Sequence, residues 1–322
     1  MKKAQILVIS LILLAITAIT MIKYDIQVID PGTGFPKIQL RESSPYTDQE
    51  CLNAFVSEMN KRASQLGMSN SSFVTPSGLE IPGVNTSTAK DLARLGVEAV
   101  GYPALTEIWN KNSYSVRIKD ESSIPITTSV TSSALENYYP ILGGKTGSGA
   151  GYHTLIIVTE IEGKMVAGAI MDALSAEKRF SAMKQLFDAA KIVLQGGTPS
   201  TTAVTDASKA CAYVVPQLPR TYEKDKLAIL YAQNADTTTA AMSASKVLTA
   251  IIALDYIQDI HVSVEVKSFD IVEGSGAIFS AGDIVTIEDL LYALMLPSSN
   301  QAANVIARTA GEIILKSQNF LL

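Results

Sequence analysis

The chain has 322 residues, 47% of them hydrophobic and 18% charged, which is enough apolar material for one large buried core or two ordinary ones and excludes general disorder. A formal net charge of -5 without a long Lys/Arg run argues against nucleic acid as a partner, because that binding draws on clustered cations that displace counterions from phosphates. Cys51, Cys211 and two histidines are too few, and too scattered, for a zinc centre, so no metal or cofactor is expected, and whether the two cysteines pair stays open.

Lys2 and Lys3 precede an uncharged apolar run over 4–22, 19 residues that as a helix measure about 28 Å and match a bilayer core. The run exceeds the core of a cleaved signal peptide, and the small residues Ala15 and Ala18 sit before Ile and Thr, so an uncleaved anchor over 1–22 is expected. Positive charge ahead of the span places the N-terminus in the cytoplasm and everything after Lys23 outside, a membrane-anchored, extracytoplasmic location. Residues 23–47 hold Asp30-Pro31-Gly32 and Gly34-Phe35-Pro36, breakers that read as an irregular stalk.

From Gln49 to Leu66 apolar residues recur at Leu52, Phe55, Val56, Met59 and Ala63, the spacing of a helix. A second helix is predicted over 88–100, opened by a capping box of Thr88 and Asp91. The period then shortens. Stretches 153–160 and 164–171 are rich in β-branched residues and joined through Glu162-Gly163, a hairpin signal. A helix follows over 176–194, then a Gly/Ser/Thr/Pro segment at 195–202 that reads as a linker, extended to 205 as a boundary. Beyond it come two paired strands at 210–215 and 227–232 and helices at 244–258, 287–296 and 300–315, the second of these opened by Thr286 and Asp289. Separate runs of helices and antiparallel strands define an α+β fold, an antiparallel sheet flanked by helices.

Three motifs carry chemistry. Lys145-Thr146-Gly147 stands just before the 153–160 strand, where a cation and a hydroxyl at a strand start can receive a carboxylate and glycine lets a substrate backbone come close. Ser243-Ala244-Ser245-Lys246 sets a hydroxyl at a helix start and an amine three residues on, on the same face. A lysine desolvated there can stay neutral and take the serine proton. The pattern recurs at Ser87, Ser175 and Ser181, but only Ser243 precedes an apolar helix, Val247, Leu248, Ile251, Ile252 and Leu254, that buries its own start. Ser298-Ser299-Asn300 follows Leu296-Pro297, with a second S-x-N at Ser317 and a plain helix cap as its bland reading. Trp109, Tyr138-Tyr139 and the methionines read as packing, and His153 as a strand residue rather than a general base.

Together S-x-x-K, S-x-N and K-T-G form the signature of penicillin-binding proteins and β-lactamases. The segment from Asn234 through Ser243-Ala244-Ser245-Lys246 to Ala250 resembles the nucleophile segment of the low-molecular-weight, serine-type D-alanyl-D-alanine carboxypeptidases. So do Phe55-Val56-Ser57-Glu58-Met59-Asn60, Leu66-Gly67-Met68, Phe73-Val74-Thr75-Pro76-Ser77-Gly78-Leu79 and the helix start Ser87-Thr88-Ala89-Lys90-Asp91-Leu92. The motif order differs, since K-T-G comes last in that family and first here. The resemblance therefore implies a β-lactamase/transpeptidase-like domain with a helical subdomain in circularly permuted order. On this reading 48–194 is its second half and 206–322 its first. Ala241-Met242 and Gln301 also depart from the family pattern, which has Pro-Ala before the nucleophile and commonly an acidic residue after the S-x-N asparagine.

The resemblance further implies acyl transfer from peptidoglycan stem peptides, with β-lactam antibiotics as acylating ligands. Ser243 is implied as nucleophile, Lys246 as general base, Ser298 as proton relay and Asn300 as the group holding Lys246 and the substrate amide. Lys145 and Thr146 would receive the terminal carboxylate, Gly147 would admit the substrate backbone, and the N–H groups of Ser243 and Ser148 would form the oxyanion hole. Two alternatives remain at this level. One is a β-lactamase, which needs a dedicated deacylating carboxylate, and Glu98 and Glu107 lie in the intervening region but in no motif; the other is a non-catalytic, domain-swapped homo-oligomer that binds peptidoglycan.

Overall fold

The computed structural model describes residues 24–29, 37–42, 44–79, 84–119, 122–130, 133–216 and 227–319, in two units, 1–47 and 48–322. The expected anchor over 4–22 lies outside the described residues; among these, no helix is long and apolar enough to cross a membrane. In the first unit the expected irregular stalk is corrected. Strands β1 (Tyr24–Ile29) and β2 (Lys37–Glu42) pair antiparallel, with Ile26 opposite Leu40 and Val28 opposite Ile38. The alternation of apolar residues at these positions is the strand period, and the Pro/Gly breakers fall between the strands rather than within them.

The second unit opens with α1 (Asp48–Gln65), which buries Phe55, Met59 and Ala63 of the predicted stripe together with Cys51, while Leu52 and Val56 are half-buried. A short strand β3 (Thr86–Ser87) leads to α2 (Ala89–Ala99), capped where Thr88 Oγ1 accepts from the Asp91 N–H at 3.1 Å. Asp91 leaves the capping box half closed, because its carboxylate turns to Ser71 Oγ and the Asn70 N–H instead. Helix α3 (Pro103–Trp109) and the hairpin of β4 (Ser113–Arg117) and β5 (Ser123–Thr127) are absent from the sequence reading. They are too short, and too polar on their outer faces, to show a period. A four-residue turn of helix, α4 (Ser133–Glu136), precedes the sheet.

The sheet takes strands from both sides of the 195–205 segment. Strands β6 (Gly143–Gly149), β7 (Tyr152–Ile161) and β8 (Lys164–Ala173) come before it, with helix α5 (Lys178–Leu194) following them; β9 (Ala207–Val214) and β10 (Ile229–Gln233) come after. All neighbours are antiparallel, and the strands lie side by side in chain order from β6 at one edge to β10 at the other. Lys145-Thr146-Gly147 is thus not the start of the 153–160 strand. It occupies a strand of its own, Lys145 opposite Ile156 and Gly147 opposite Thr154. The β7–β8 turn uses Glu162 and Gly163 at φ 51° and 70°, both left-handed, which suits the twist of a two-residue hairpin.

Both faces of the sheet are covered, so the central strands read as nearly continuous apolar runs. On one face Leu155, Ile157, Val166 and Ile170 pack against Phe180, Met183, Leu186 and Phe187 of α5. Ile156, Val158, Ala167, Cys211 and Tyr213 point the other way, into a core shared with α1 and α2. That core also receives β11 (Thr239–Ala240), which pairs with β3, a 3-10 turn at Met242–Ser245 and helix α6 (Lys246–Tyr256). The pair β12 (Ser263–Glu265) and β13 (Ile284–Thr286), then α7 (Ile287–Met295) and α8 (Asn300–Asn319), complete it. Thr286 caps α7 through the Asp289 N–H at 3.0 Å. Both cysteines are free and buried.

Helix α8 crosses α1 at Gly311, where a β-carbon would land on the Cys51 carbonyl. Nearby, Arg308 clamps the fully buried Asp270, with Nη2 to Oδ2 at 2.7 Å. Gly311→Ala adds helix propensity but forces the two helices apart, and a net loss of about 1–3 kcal/mol is expected, read as a lower urea midpoint at unchanged slope.

Candidate active site

Ser243 lies in the 3-10 turn at the head of α6, and the turn is held from below by a loop from the other half of the chain. Asn85, fully buried, accepts from the N–H groups of Val74 and Thr75 and donates to the Thr75 carbonyl and to Ser245 Oγ. Its own carbonyl accepts from the Ala241 N–H at 2.8 Å. Thr249 Oγ1 donates to the Pro76 carbonyl at 2.6 Å. Gly78, at φ +74°, packs where a β-carbon would strike the Met242 carbonyl, and Met242 itself is at φ 51°. A left-handed non-glycine residue directly before Ser243 is a strained position kept by these surrounding bonds.

Lys246 is fully buried and its Nζ has three partners: Ser243 Oγ at 2.8 Å, Asn300 Oδ1 at 2.8 Å and the Ser77 carbonyl at 2.7 Å. Burial, and then the cation of Lys145, hold its pKa well below the ordinary lysine range. As an ammonium it donates to all three. Once neutral it has two hydrogens and one lone pair, and of the three partners only Ser243 has a proton to give. Asn300 cannot turn over to compete, since its Nδ2 donates to the Glu273 carbonyl at 3.1 Å.

Lys145 is also fully buried, and its Nζ donates to the Thr146 carbonyl at 3.0 Å. Burial, with the charge of Arg179 second, lowers its pKa to about 7. Thr146 Oγ1 lies 2.8 Å from Ser129 Oγ, and the Ser129 N–H donates to the Leu296 carbonyl, so one residue ties the K-T-G strand to the turn before Ser298. Ser298 is at φ +68°, and its buried hydroxyl has no hydrogen-bond partner among the described residues. Ser148 Oγ accepts from Arg179 Nη1 at 2.9 Å, with His153 Nδ1 3.5 Å away.

Gly147 answers a different need from the one the sequence suggests. A β-carbon there would meet Thr154 Oγ1, the Met242 β-carbon and the Ala241 carbonyl, so glycine lets the edge strand touch the turn that carries Ser243. Gln301, where the family pattern commonly has an acid, accepts from the Phe279 N–H at 2.9 Å. The other S-x-x-K serines bond elsewhere: Ser87 to Ser71, Ser175 to Glu177 and Ser181 to Asp206.

A cleft of about 460 Å³ opens over Ser243, lined also by Leu79, Ser148, Met242, Glu273, Ser275 and Asn300. Glu98 and Glu107 are not among its lining residues: Glu98 is buried against Arg62, and Glu107 is exposed on α3. The residues that sequence reasoning passed over are Ser77, Asn85, Ser129, Arg179 and Glu273. Ser77 acts through its carbonyl, which leaves no signature in residue type; the others belong to no motif and reach the site only through folding.

A serine bonded to a buried lysine, at the head of a buried helix and beside an edge strand bearing a second lysine, is an arrangement suited to lysine-assisted serine acyl transfer. Residues 51–175 match the D-alanyl-D-alanine carboxypeptidase family model and residues 204–316 match the beta-lactamase enzyme family model. Over 134 residues, 41% of this chain and 43% of the relative, it is 30% identical to the D-alanyl-D-alanine endopeptidase of Escherichia coli (strain K12). It is 31% identical over 160 residues, 49% of each chain, to the D-alanyl-D-alanine endopeptidase of Pseudomonas aeruginosa. It is 30% identical over 129 residues, 40% of this chain and 32% of the relative, to the D-alanyl-D-alanine carboxypeptidase DacF of Bacillus subtilis (strain 168). The matches thus span less than half the length of these relatives. No solved structure matches the chain at a significant level.

Two outcomes are expected from this geometry. Gly78→Ala displaces the turn at Met242 and slows acylation of Ser243 about a hundredfold, followed with a fluorescent penicillin. Lys145 binds its proton less tightly folded than unfolded, so between about pH 7 and its ordinary value of 10.5 the unfolded chain holds more protons and this residue makes stability rise with pH. Lys145→Met is therefore expected to raise stability by about 0.5–2 kcal/mol at pH 6, and by less at pH 9, in urea titrations.

Proposed function

We propose that the protein is a serine-type D-Ala-D-Ala carboxypeptidase that acts on peptidoglycan stem peptides through an acyl-enzyme and is acylated by β-lactams. The observation that carries this reading is the Lys246 amine, buried and bonded to Ser243 at 2.8 Å, with its other two partners unable to give a proton. Ser243 Oγ attacks the carbonyl of the penultimate D-alanine as its proton passes to Lys246. The negative charge that develops on the carbonyl oxygen is met by the N–H groups of Ser243 and Ser148, each worth about 3 kcal/mol in the transition state. Collapse breaks the peptide bond, and the proton reaches the leaving amine through Ser298. Water then attacks the ester by the reverse relay, with Lys246 again the base, and frees Ser243. Lys145 and Thr146 receive the terminal carboxylate, with Arg179 adding charge at the same rim.

The circular permutation is part of this proposal. It is supported by a sheet whose five strands lie in chain order and by a site that draws Lys145 and Ser77 from one half and Ser243, Lys246 and Asn300 from the other. These groups meet within a single chain, so the reading needs no swapped partner. An extracytoplasmic location, with 4–22 as the anchor, belongs to the same reading and is supported by the lysines ahead of that apolar run.

The test is intact mass of the protein after exposure to benzylpenicillin, beside the Ser243→Ala variant. A lasting one-to-one adduct that the variant lacks is expected. A folded protein that forms no adduct and releases no hydrolysed penicillin overturns the catalytic reading, whereas rapid penicillin turnover replaces it with a β-lactamase.

A further inference from the structure

Thr146 and Ser148 are two apart on β6 and so share one face of the strand, and each hydroxyl meets a partner from another segment. Ser148 Oγ accepts from Arg179 Nη1 at 2.9 Å, and because a guanidinium only donates, that bond leaves the serine proton unspent. At Thr146 the partner is a second hydroxyl. Ser129 Oγ lies 2.8 Å from Thr146 Oγ1, either oxygen can be the donor, and neither hydroxyl has another hydrogen-bond partner among the described residues. The backbone around Ser129 is fixed without this contact. Its own N–H donates to the Leu296 carbonyl at 3.1 Å and the Thr128 N–H to the Asn112 carbonyl at 2.9 Å. Next to it, Val130 is buried in the core on the α5 side of the sheet, against Gly144, and its N–H donates to Thr128 Oγ1 at 3.2 Å. The Ser129 hydroxyl is thus a group held rigidly beside Thr146 that the fold does not use elsewhere.

We propose that Ser129 is a positioning residue for the terminal carboxylate of the substrate, donating to Thr146 Oγ1 so that the Thr146 proton is directed to the carboxylate. This rests on the carboxypeptidase reading, with Thr146 as a carboxylate ligand, and adds the group that sets the direction of its hydroxyl. A carboxylate only accepts, and a threonine hydroxyl has one proton. Once that proton goes to the ligand, the 2.8 Å contact survives only with Ser129 as donor. The two bonds then run the same way, from Ser129 to Thr146 to the carboxylate, and each polarises the next. The last of them is charge-assisted and gains most from that polarisation. With the direction reversed, Thr146 would spend its proton on Ser129 and turn lone pairs toward the anion.

The experiment gives the full chain two thioesters of Nα,Nε-diacetyl-lysyl-D-alanine, one with thioglycolate and one with thioglycolamide, which differ only in the terminal carboxylate. Attack by Ser243 forms the ester and breaks the C–S bond, so thiol release measures acylation. The wild type is expected to favour the carboxylate, and the ratio of the two kcat/KM values to fall about fivefold in Ser129→Ala, through KM, while Ser129→Thr retains it. Should Ser129→Ala fail to fold, Ser129→Cys, a weaker donor, is expected to lower the same ratio. A ratio unchanged in the variant, even where both rates fall, overturns the inference, because a merely structural serine would affect the two thioesters alike. A ratio that Ser129→Thr loses as fully as Ser129→Ala overturns it too. A wild type indifferent to the carboxylate overturns it while leaving acyl transfer at Ser243 in place. Failure to release thiol from either thioester, together with the absence of a benzylpenicillin adduct, removes this inference and the carboxypeptidase reading together.

Discussion

The molecule is organised around one amine held out of water. An ammonium inside an apolar core is unfavourable by several kcal/mol even after relaxation, so a lysine there must either be richly hydrogen-bonded or give up its proton. Lys246 does both. Its three partners come from positions 77, 243 and 300, which no local segment could bring together. The loop at 75–78, the turn at 242–245 and the start of α8 therefore have to be positioned against one another, and much of the surrounding polar network exists to do that. Asn85 fixes the loop to the turn, and the Glu273 carbonyl fixes the orientation of Asn300.

Close backbone approach is the second constraint, and it follows from the first. A nucleophile turn wedged between a loop and an edge strand leaves no room for side chains at its contacts. Gly78 and Gly147 meet the Met242 region from opposite sides, and Gly276 meets Ser299. The strain this packing leaves is carried at Met242 and Ser298, both left-handed without being glycine, and both adjoin or belong to the proposed machinery. The second buried lysine adds to the cost. Among the described residues Lys145 has a single acceptor, and its pKa is depressed, the condition of a group suited to a ligand carboxylate.

What was legible in the sequence follows from the range of the interactions involved. Helices α1, α2, α5, α7 and α8 and the β7–β8 hairpin show a period over enough residues to be read directly, and Thr88 and Thr286 mark helix starts because capping is a contact of three residues' span. The shortest elements, α3, the β4–β5 hairpin and the β12–β13 pair, carry no period long enough to see. The stretch at 23–47 misleads for a related reason: its breakers lie between two short strands, and the alternation of Ile26, Val28, Ile38 and Leu40 is slight beside them.

By itself the sequence determined the residue types able to do the chemistry and the local frame of each, because a hydroxyl and an amine three apart on a helix meet whatever the rest of the chain does. It also determined an α+β architecture, through the change of hydrophobic period along the chain. The apolar helix after Ser243 already singled it out among four S-x-x-K serines, and the tertiary structure supplied the partners and the full burial of Lys246, since desolvation is a property of the packed core and not of a motif. It likewise decided that Gly147 serves packing against Met242, that Ser77 contributes a carbonyl, and that Arg179 and Glu273 flank the cleft with opposite charge. Each of these depends on distance between segments far apart in the chain, and such distances are set only when both faces of the sheet are covered and the core is closed.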